Sequence, residues 1–202
     1  MNGSNPIVAA IAPEHVGEAV AVLADAFTDY PVTQYVLGTA LAMHHTALIR
    51  MFVMARVLRG EPLLGARADG ALIAAGIVSF PSSAPAPLAF LALREETWRL
   101  LGAEAEARYT AYGNATATFA FPEKAVHLNM IGARRGNQRR GLGRAILDAV
   151  QDIARARPGS PGVELTTERL ENVAYYQAQG FELVGHARVG PGLESWGFFR
   201  PN

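Results

Sequence analysis

The sequence predicts an α/β domain of the α+β type, with helices on both sides of a mixed central β-sheet in three layers. Two observations predict it. Helical apolar spacing and short strand-like apolar runs alternate along the chain. The chain has 202 residues, half of them hydrophobic, and shows neither an internal repeat nor a long linker. We therefore expect residues 1–202 to form one domain around one sizeable core.

The first half of the chain combines helical patterns with one hairpin. Apolar runs at 63–67 and 71–80 are separated by Asp69-Gly70, which predicts a β-hairpin because this dipeptide suits a tight turn. A short strand is expected at 7–11, and clustered prolines predict a loop at 81–87. Asp29-Tyr30-Pro31 is expected to end the first helix. Helical spacing covers 14–27, about 39–59 and about 88–112.

The second half predicts strands separated by two helices. The run 125–133 predicts a strand, and apolar residues from Leu142 to Ile153 then recur at helical spacing until Pro158-Gly159. A shorter helix is expected at 171–179, where Gly180 closes it. The remaining apolar runs predict strands at 163–167, 181–189 and 193–199.

Composition and charge exclude several classes of protein. Acidic and basic residues number 18 each, so the overall charge indicates no nucleic-acid partner. The absence of cysteine excludes disulfides, thiolate metal sites and a cysteine nucleophile. The first residues lack a signal-peptide pattern, and no uncharged apolar stretch reaches the ~18 residues of a membrane helix. The expectation is a cytoplasmic protein without a membrane partner. No metal is expected, because no metal-ligand grouping includes His15, His44, His45 or His186.

The segment QRRGLG, residues 138–143, lies between the predicted strand at 125–133 and the next helix. The free N–H groups of a helix's first turn and the helix dipole attract anions. Gly141 and Gly143 lack the Cβ atoms that would keep a phosphate away from the backbone. Arginines add positive charge at positions 135, 139, 140 and 144. This arrangement predicts a phosphorylated ligand.

Two better-known phosphate loops do not fit this segment. A dinucleotide fingerprint, GxGxxG, would need glycine in place of Ile146. A P-loop would run from Gly136, but Leu142 and Gly143 occupy the positions of its lysine and its hydroxyl residue. A nucleoside triphosphate with its magnesium is therefore disfavoured.

The spacing of Gln138, Gly141 and Gly143 fits the pattern Q/R-x-x-G-x-G/A. It resembles the acetyl-CoA pyrophosphate loop of the GNAT superfamily of N-acetyltransferases. Residues 171–185, ENVAYYQAQGFELVG, resemble that family's N-x-x-x-Y-Y/F-x-x-x-G-F segment. The clear resemblance spans about 126–199, and a looser one covers the N-terminal helices and the hairpin. It implies a GNAT-like fold with a splayed strand pair that binds the cofactor, and acetyl-CoA as cosubstrate.

The resemblance also implies which residues hold the cofactor. The pantetheine arm is expected to pair with the main chain of Met130, Ile131 and Ala133 as though it were a strand. Asn172 would hold the arm, and a plain helix cap is the alternative. The implied cofactor-binding residues are Met130, Ile131, Ala133, Gln138, Arg139, Arg140, Gly141, Leu142, Gly143, Arg144, Asn172 and Tyr176.

Tyr176 matches the family's tyrosine that approaches the sulfur of CoA. A phenol with a pKa near ~10 suits proton donation to a departing thiolate. A core tyrosine is the alternative. Asn172 and Tyr176 lie four residues apart and share a helix face, whereas Tyr175 is expected to pack elsewhere.

The base that deprotonates the attacking amine is expected at His127. Part of the family carries a carboxylate on this strand, and His127 stands at the matching position. The ordinary pKa of histidine, near ~6.5, suits a base at neutral pH, and a structural histidine is the alternative. Strand alternation divides this segment into two faces, one with His127, Asn129 and Ile131, the other with Val126, Leu128 and Met130.

Together the resemblance implies transfer of an acetyl group from acetyl-CoA to a primary amine of a small molecule or peptide. Direct attack in a ternary complex is expected, because without cysteine no thiol acetyl-enzyme can form. Two alternatives stay open: a CoA-binding sensor without turnover, and an acyltransferase with another donor or a non-amine acceptor. The resemblance also implies a homodimer through the C-terminal strands. Candidate pocket-lining residues are Phe27, Tyr30, Tyr35, Phe80 and Trp196, with a core position as the alternative for each.

Overall fold

The computed structural model describes residues 7–202, so the first six residues of the predicted domain lie outside the described residues. The strands are β1 Val8–Ala10, β2 Leu63–Ala68, β3 Ala71–Ser79, β4 Val126–Ala133, β5 Gly162–Thr167, β6 Glu182–Gly190 and β7 Leu193–Pro201. The helices are α1 Val16–Phe27, α2 Pro31–Leu37, α3 Leu41–Leu58, α4 Leu88–Leu101, α5 Ala103–Thr116, α6 Leu142–Ala156 and α7 Glu171–Ala178.

The strands form a single mixed sheet in the order β1-β2-β3-β4-β5-β7-β6. β4 and β5 are parallel, and their neighbours in the sheet pair antiparallel. The chain returns from β4 to β5 through α6, as a parallel pair requires a crossover connection. This arrangement confirms the predicted α/β fold with a mixed sheet.

Helices pack on both faces of the sheet. On one face, Ile146 and Leu147 of α6 are fully buried beside Val78 of β3. On the other face, Leu23 of α1 is fully buried beside Ile77, the neighbour of Val78 that points the opposite way. A third cluster joins α2, α3, α4 and α5. Each fully buried aliphatic side chain contributes about 1.5–3 kcal/mol of hydrophobic free energy.

Most predicted elements are confirmed, including the hairpin β2–β3, helix α6 and strands β5 to β7. Two helical predictions were wrong in their boundaries. Pro31, predicted to lie in a break, begins α2, because proline fits the first turn of a helix, where no N–H partner is needed. The pattern at 88–112 divides into α4 and α5 at Gly102, whose φ of 90° interrupts the helix.

The helical stretch Pro31–Leu58 is long and apolar enough to cross a membrane, judged by length and composition alone. It is interrupted at Gly38, where φ is 52°, and so comprises α2 and α3. Leu48 and Ile49 of α3 are fully buried in clusters with the other helices and the sheet. Packing within the domain thus accounts for part of the apolar character of this stretch.

The two central strands diverge after a short parallel pairing. Val126, His127 and Leu128 of β4 pair with Val163, Glu164 and Leu165 of β5. Beyond Leu128, β4 pairs only with β3, and β5 continues only with β7. The sheet therefore opens into a cleft between the second half of β4 and the end of β5.

A β-bulge at Asn129 marks the point of divergence. Leu128 pairs with Val78 and Met130 pairs with the next residue, Ile77, so Asn129 is the extra residue of β4. The bulge corrects the predicted alternation. Met130 packs with the α1 and α3 side of the sheet, while Ile131 packs on the α6 side with Val126 and Leu128.

Candidate active site in the cleft between β4 and β5

The loop before α6 has the backbone of an anion cradle. Gly136, Arg139 and Gly141 have positive φ angles of 84°, 61° and 76°, between residues of ordinary conformation. Such alternation can turn successive N–H groups toward one concavity. Within residues 7–202, no group accepts a hydrogen bond from the backbone N–H groups at 138–144. These donors are therefore available to a ligand at the start of α6.

Two arginines of this loop carry charge that no carboxylate neutralises. Arg135 and Arg144 lie 3.8 Å from the carboxylates of Asp29 and Asp148. For Arg139 and Arg140, the described part of the chain offers no carboxylate within ion-pair distance, and Arg140 donates to Asn137 Oδ1 at 2.8 Å. The loop is exposed, so this positive charge can meet a phosphate from solvent.

The cleft continues from this loop along the free edge of β4. Met130, Ile131 and Ala133 pair with β3 on one side and with no strand on the side of β5. Their unpaired backbone groups can take up an extended ligand that carries amides. At the far end lies a cavity of about 350 Å³, bounded by β4, β5, α7 and the helices α1 to α5.

Tyr176 lines this cavity and is 6% exposed. Its ring packs against Phe181 and Phe198, with centroid distances of 5.8 Å and 5.6 Å. Within residues 7–202, no group hydrogen-bonds the Tyr176 hydroxyl. Burial raises the pKa of Tyr176 above its ordinary value, and the nearby Tyr175 and Glu168 raise it further. The side chain is thus held as a neutral phenol with an available proton.

Tyr175 lies at the loop before α6 and is partly exposed, although the sequence predicted packing. A Cβ atom at Gly143 would lie 3.1 Å from the Tyr175 hydroxyl. Gly143 therefore leaves room for this hydroxyl beside the first turn of α6.

Asn172 is anchored to the end of β5. Its Nδ2 donates to Thr167 Oγ1 at 3.0 Å, and Tyr30 lies 2.9 Å from the same hydroxyl. The N-cap of α7 is Leu170, so the alternative in which Asn172 simply caps the helix does not hold. Asn172 lines the cavity from this position.

His127 lies where the strands begin to part, and it also lines the cavity. Its Nδ1 is 3.1 Å from Glu164 Oε1, directly across the parallel pair. The Phe121 ring meets the imidazole edge-on at 6.4 Å. A carboxylate at Nδ1 orients the imidazole ring.

Glu168 is a buried carboxylate that the sequence interpretation missed. It follows β5 directly, is 8% exposed and lines the cavity. Its Oε1 accepts hydrogen bonds from Tyr112 at 2.9 Å and Ser195 at 2.8 Å. Burial raises the pKa of Glu168, and the hydrogen bonds oppose that rise. Its position immediately after the polar strand end Thr166-Thr167 could have identified Glu168 as a candidate site residue.

Helices α3 to α5 provide an aromatic wall that the sequence did not reveal. Tyr109 lies between Trp98 and Phe52, at 5.2 Å and 5.5 Å, and Tyr112 follows at 6.3 Å. All four line the cavity, together with Arg56 and Arg94.

Among the predicted lining residues, Phe27 and Tyr30 do border the cavity. The prediction was wrong for the other three. Tyr35 packs in the cluster of α2 to α5, Phe80 lies beneath Arg157 at 4.1 Å, and Trp196 stacks on His186 at 5.1 Å.

Three of the other histidines have local partners. His15 and His186 pair with Glu18 and Glu194, and His45 lies 3.0 Å from the Phe27 carbonyl. Within residues 7–202, no three His, Asp or Glu side chains form a group that could hold a metal ion.

Comparison with known proteins places this geometry in a family. The profile of the acetyltransferase (GNAT) family matches residues 59–181. A Corynebacterium glutamicum structure, described as histone acetyltransferase HPA2 and related acetyltransferase, is 17% identical with a TM-score of 0.69 and covers 98% of both chains. A Drosophila melanogaster polyamine N-acetyltransferase is 18% identical with a TM-score of 0.65, covering 96% of this chain and 97% of that one. An agmatine N-acetyltransferase variant is 16% identical with a TM-score of 0.70, covering 98% of this chain and 100% of that one. At these identities the structural likeness shows the shared fold.

Proposed function

The chain belongs to the acetyltransferase (GNAT) family, and from this premise we propose that it transfers the acetyl group of acetyl-CoA to a primary amine. The observation that carries the proposal is the order of three features along β4 and the loop that follows it. An anion cradle precedes α6, a free strand edge runs along β4, and a buried phenol and a histidine both line the cavity.

The cleft suits the chemistry of CoA in each of its parts. The unpaired N–H groups at 138–144, with Arg139 and Arg140, would hold the pyrophosphate. Met130, Ile131 and Ala133 would pair through their main chain with the amides of the pantetheine arm. Asn172 would steady the arm from α7. When bound, acetyl-CoA supplies an acetyl group activated as a thioester.

His127 and Tyr176 would move the two protons of the reaction. An amine arrives as an ammonium ion and becomes a nucleophile only after losing a proton, which His127 Nε2 can accept while Glu164 steadies Nδ1. Tyr176 would donate its phenolic proton to the leaving sulfur and would be reprotonated by the second proton that the nitrogen loses as the amide forms. The absence of cysteine excludes a thiol acetyl-enzyme and so favours direct attack of the amine on the thioester.

Glu168 supports an amine as the acceptor. A buried carboxylate beside aromatic rings is a favourable site for an ammonium ion before it is deprotonated. The names of two structural neighbours, agmatine and polyamine N-acetyltransferases, agree with an amine acceptor. A small-molecule or peptide amine fits the proposal, as does a homodimer through β6, the strand at one edge of the sheet.

The proposal is tested by measuring the free thiol of CoA released from acetyl-CoA with a panel of primary amines. We expect release that depends on the acceptor and equals the acetylated amine found by mass spectrometry. Tight acetyl-CoA binding without release across the panel would instead favour a CoA-binding sensor. Release with alcohols or thiols only would indicate a different acceptor class.

A further inference from the structure

We propose that the acceptor carries an anionic group, a carboxylate or phosphate, at the end opposite its amine. This inference rests on the proposed amine acetylation and specifies its substrate class. It follows from the opposite charges at the two ends of the cavity.

The inner end of the cavity is acidic. Glu168 lines it beside Tyr176, and the His127–Glu164 pair lies where β4 and β5 part. Both glutamates are largely buried, so their charge is felt within the cleft with little screening. An ammonium group is therefore favoured near the reacting end.

The outer end is basic. Arg56 and Arg94 line the cavity there, and the guanidinium groups of Arg59 and Arg94 lie 5.5 Å and 5.9 Å from the Phe90 ring. Glu61 neutralises Arg56 at 2.9 Å. Across residues 7–202, neither Arg59 nor Arg94 has a carboxylate within ion-pair distance. Arg59 is not a lining residue of the cavity, and its Nε is buried without a hydrogen-bond partner in that range.

Arg94 lines the cavity without an ion-pair partner among the described residues, so a ligand anion at this end would form a charge-assisted hydrogen bond with its guanidinium group. The guanidinium groups of Arg59 and Arg94 both pack on the Phe90 ring, so the charge of Arg59 adds to the attraction of an anion that Arg94 binds. A second ammonium group at this end would face like charges and be disfavoured.

An apolar body fits between the two ends. Tyr109 and Tyr112 connect the Phe52 and Trp98 side of the wall to Glu168, through ring contacts and the Tyr112 hydroxyl. The acceptor class is thus an amine and an anion separated by several carbon atoms.

Matched acceptors that differ only at the far end test the inference: 6-aminohexanoate, hexylamine and hexane-1,6-diamine, with 6-aminohexyl phosphate to separate phosphate from carboxylate. We expect kcat/KM for an anionic acceptor to exceed that for hexylamine by about tenfold, the effect of one charge-assisted contact. The diamine should be the poorest. In Arg94→Gln and Arg59→Gln the ratio between anionic acceptor and hexylamine should fall toward one, whereas Arg99→Gln, an exposed change on α4, should preserve it.

Calorimetric binding of the same compounds to the CoA complex distinguishes this inference from the proposed function. Loss of CoA release with every compound would contradict amine acetylation, while the binding order would still decide the acceptor class. Equal binding of all compounds, or tightest binding of the diamine, would overturn the inference. A preference for the anion that survives both arginine substitutions would overturn it as well.

Discussion

Tyr175 and Tyr176 are neighbours in sequence, yet their hydroxyl groups have different surroundings. Tyr176 is buried against Phe181 and Phe198 and lines the cavity. The Tyr175 hydroxyl stands beside Gly143 at the start of α6. The proposed proton donation by Tyr176 can therefore be tested by substitution, with Tyr175 as the matched control.

Replacing Tyr176 with Phe should slow turnover while leaving the fold intact. The ring contacts remain, but the proton donor is lost, and general acids typically contribute 10²–10⁴-fold. We expect kcat to fall by roughly a hundredfold or more, with little change in acetyl-CoA affinity. Steady-state kinetics and calorimetry measure both, and Tyr175→Phe should keep kcat near wild type. Unchanged kcat in Tyr176→Phe would remove this residue from the mechanism.

The raised pKa of Tyr176 predicts the alkaline behaviour of the enzyme. Because burial disfavours the phenolate, Tyr176 stays protonated beyond the ordinary tyrosine pKa of about 10. We therefore expect kcat to show no fall from Tyr176 ionisation up to about pH 10. A pH profile of kcat tests this. A falling limb below that pH that disappears in Tyr176→Phe would contradict it.

Glu168→Gln should retain or increase stability at neutral pH. Burial raises the pKa of the folded carboxyl, so the folded state binds a proton where the unfolded state has lost it. The stability that protonated Glu168 contributes is fully present below the unfolded-state pKa of about 4.3. It is lost as the pH rises through the pKa of Glu168 in the folded state. Glutamine has no such loss and can still accept from Tyr112 and Ser195.

Urea unfolding at neutral and acidic pH checks this expectation. The stability of Glu168→Gln relative to wild type should be greatest at neutral pH and shrink as the pH falls. Exposed Glu182→Gln controls for the change in net charge. The expectation would be contradicted if Glu168→Gln were less stable than wild type at neutral pH and the difference disappeared in acid.

At the scale of elements, the loop and α6 act together through Gly141. This residue is the N-cap of α6 and has a φ of 76°, with open space where a Cβ would lie. An added Cβ thus meets no neighbour, and only backbone conformation opposes it. A substitution at Gly141 therefore tests the backbone conformation of the loop without disturbing the side-chain packing around it.

Gly141→Ala should lower stability by about 1–2 kcal/mol, the cost of the left-handed conformation for a residue with a Cβ. If the loop relaxes to avoid this cost, its N–H groups turn away and acetyl-CoA binding weakens. Calorimetry and urea unfolding measure the two effects. Gly17→Ala, exposed in α1 with open space around it, should leave acetyl-CoA binding unchanged. Wild-type binding by Gly141→Ala would contradict a cradle built by this backbone.

At the scale of the whole molecule, local patterns predicted most of the fold. Asp69-Gly70 located the hairpin, and the spacing from Leu142 to Ile153 located α6. The loop residues Gln138, Gly141 and Gly143 were found because the cradle is contiguous in sequence. Each of these features depends on residues that are close together in the chain, so the sequence alone is enough to predict it.

The features that sequence missed depend on distant contacts. The bulge at Asn129 places Met130 and Ile131 on faces opposite to those predicted, and it is visible only in the pairing with β3. Glu168 and Tyr112 are 56 residues apart, so their hydrogen bond could not be read from spacing. The arginine and aromatic wall likewise comes together only when α3, α4 and α5 pack.

We propose that the acyl donor lies in the cleft between β4 and β5, with its thioester beside Tyr176. A crystal structure with acetyl-CoA or CoA bound tests it most directly. We expect the pyrophosphate on the N–H groups at 138–144, the pantetheine arm along Met130 to Ala133, and the sulfur within hydrogen-bond reach of the Tyr176 hydroxyl. A CoA molecule bound outside this cleft, or a sulfur far from Tyr176 and His127, would contradict the account.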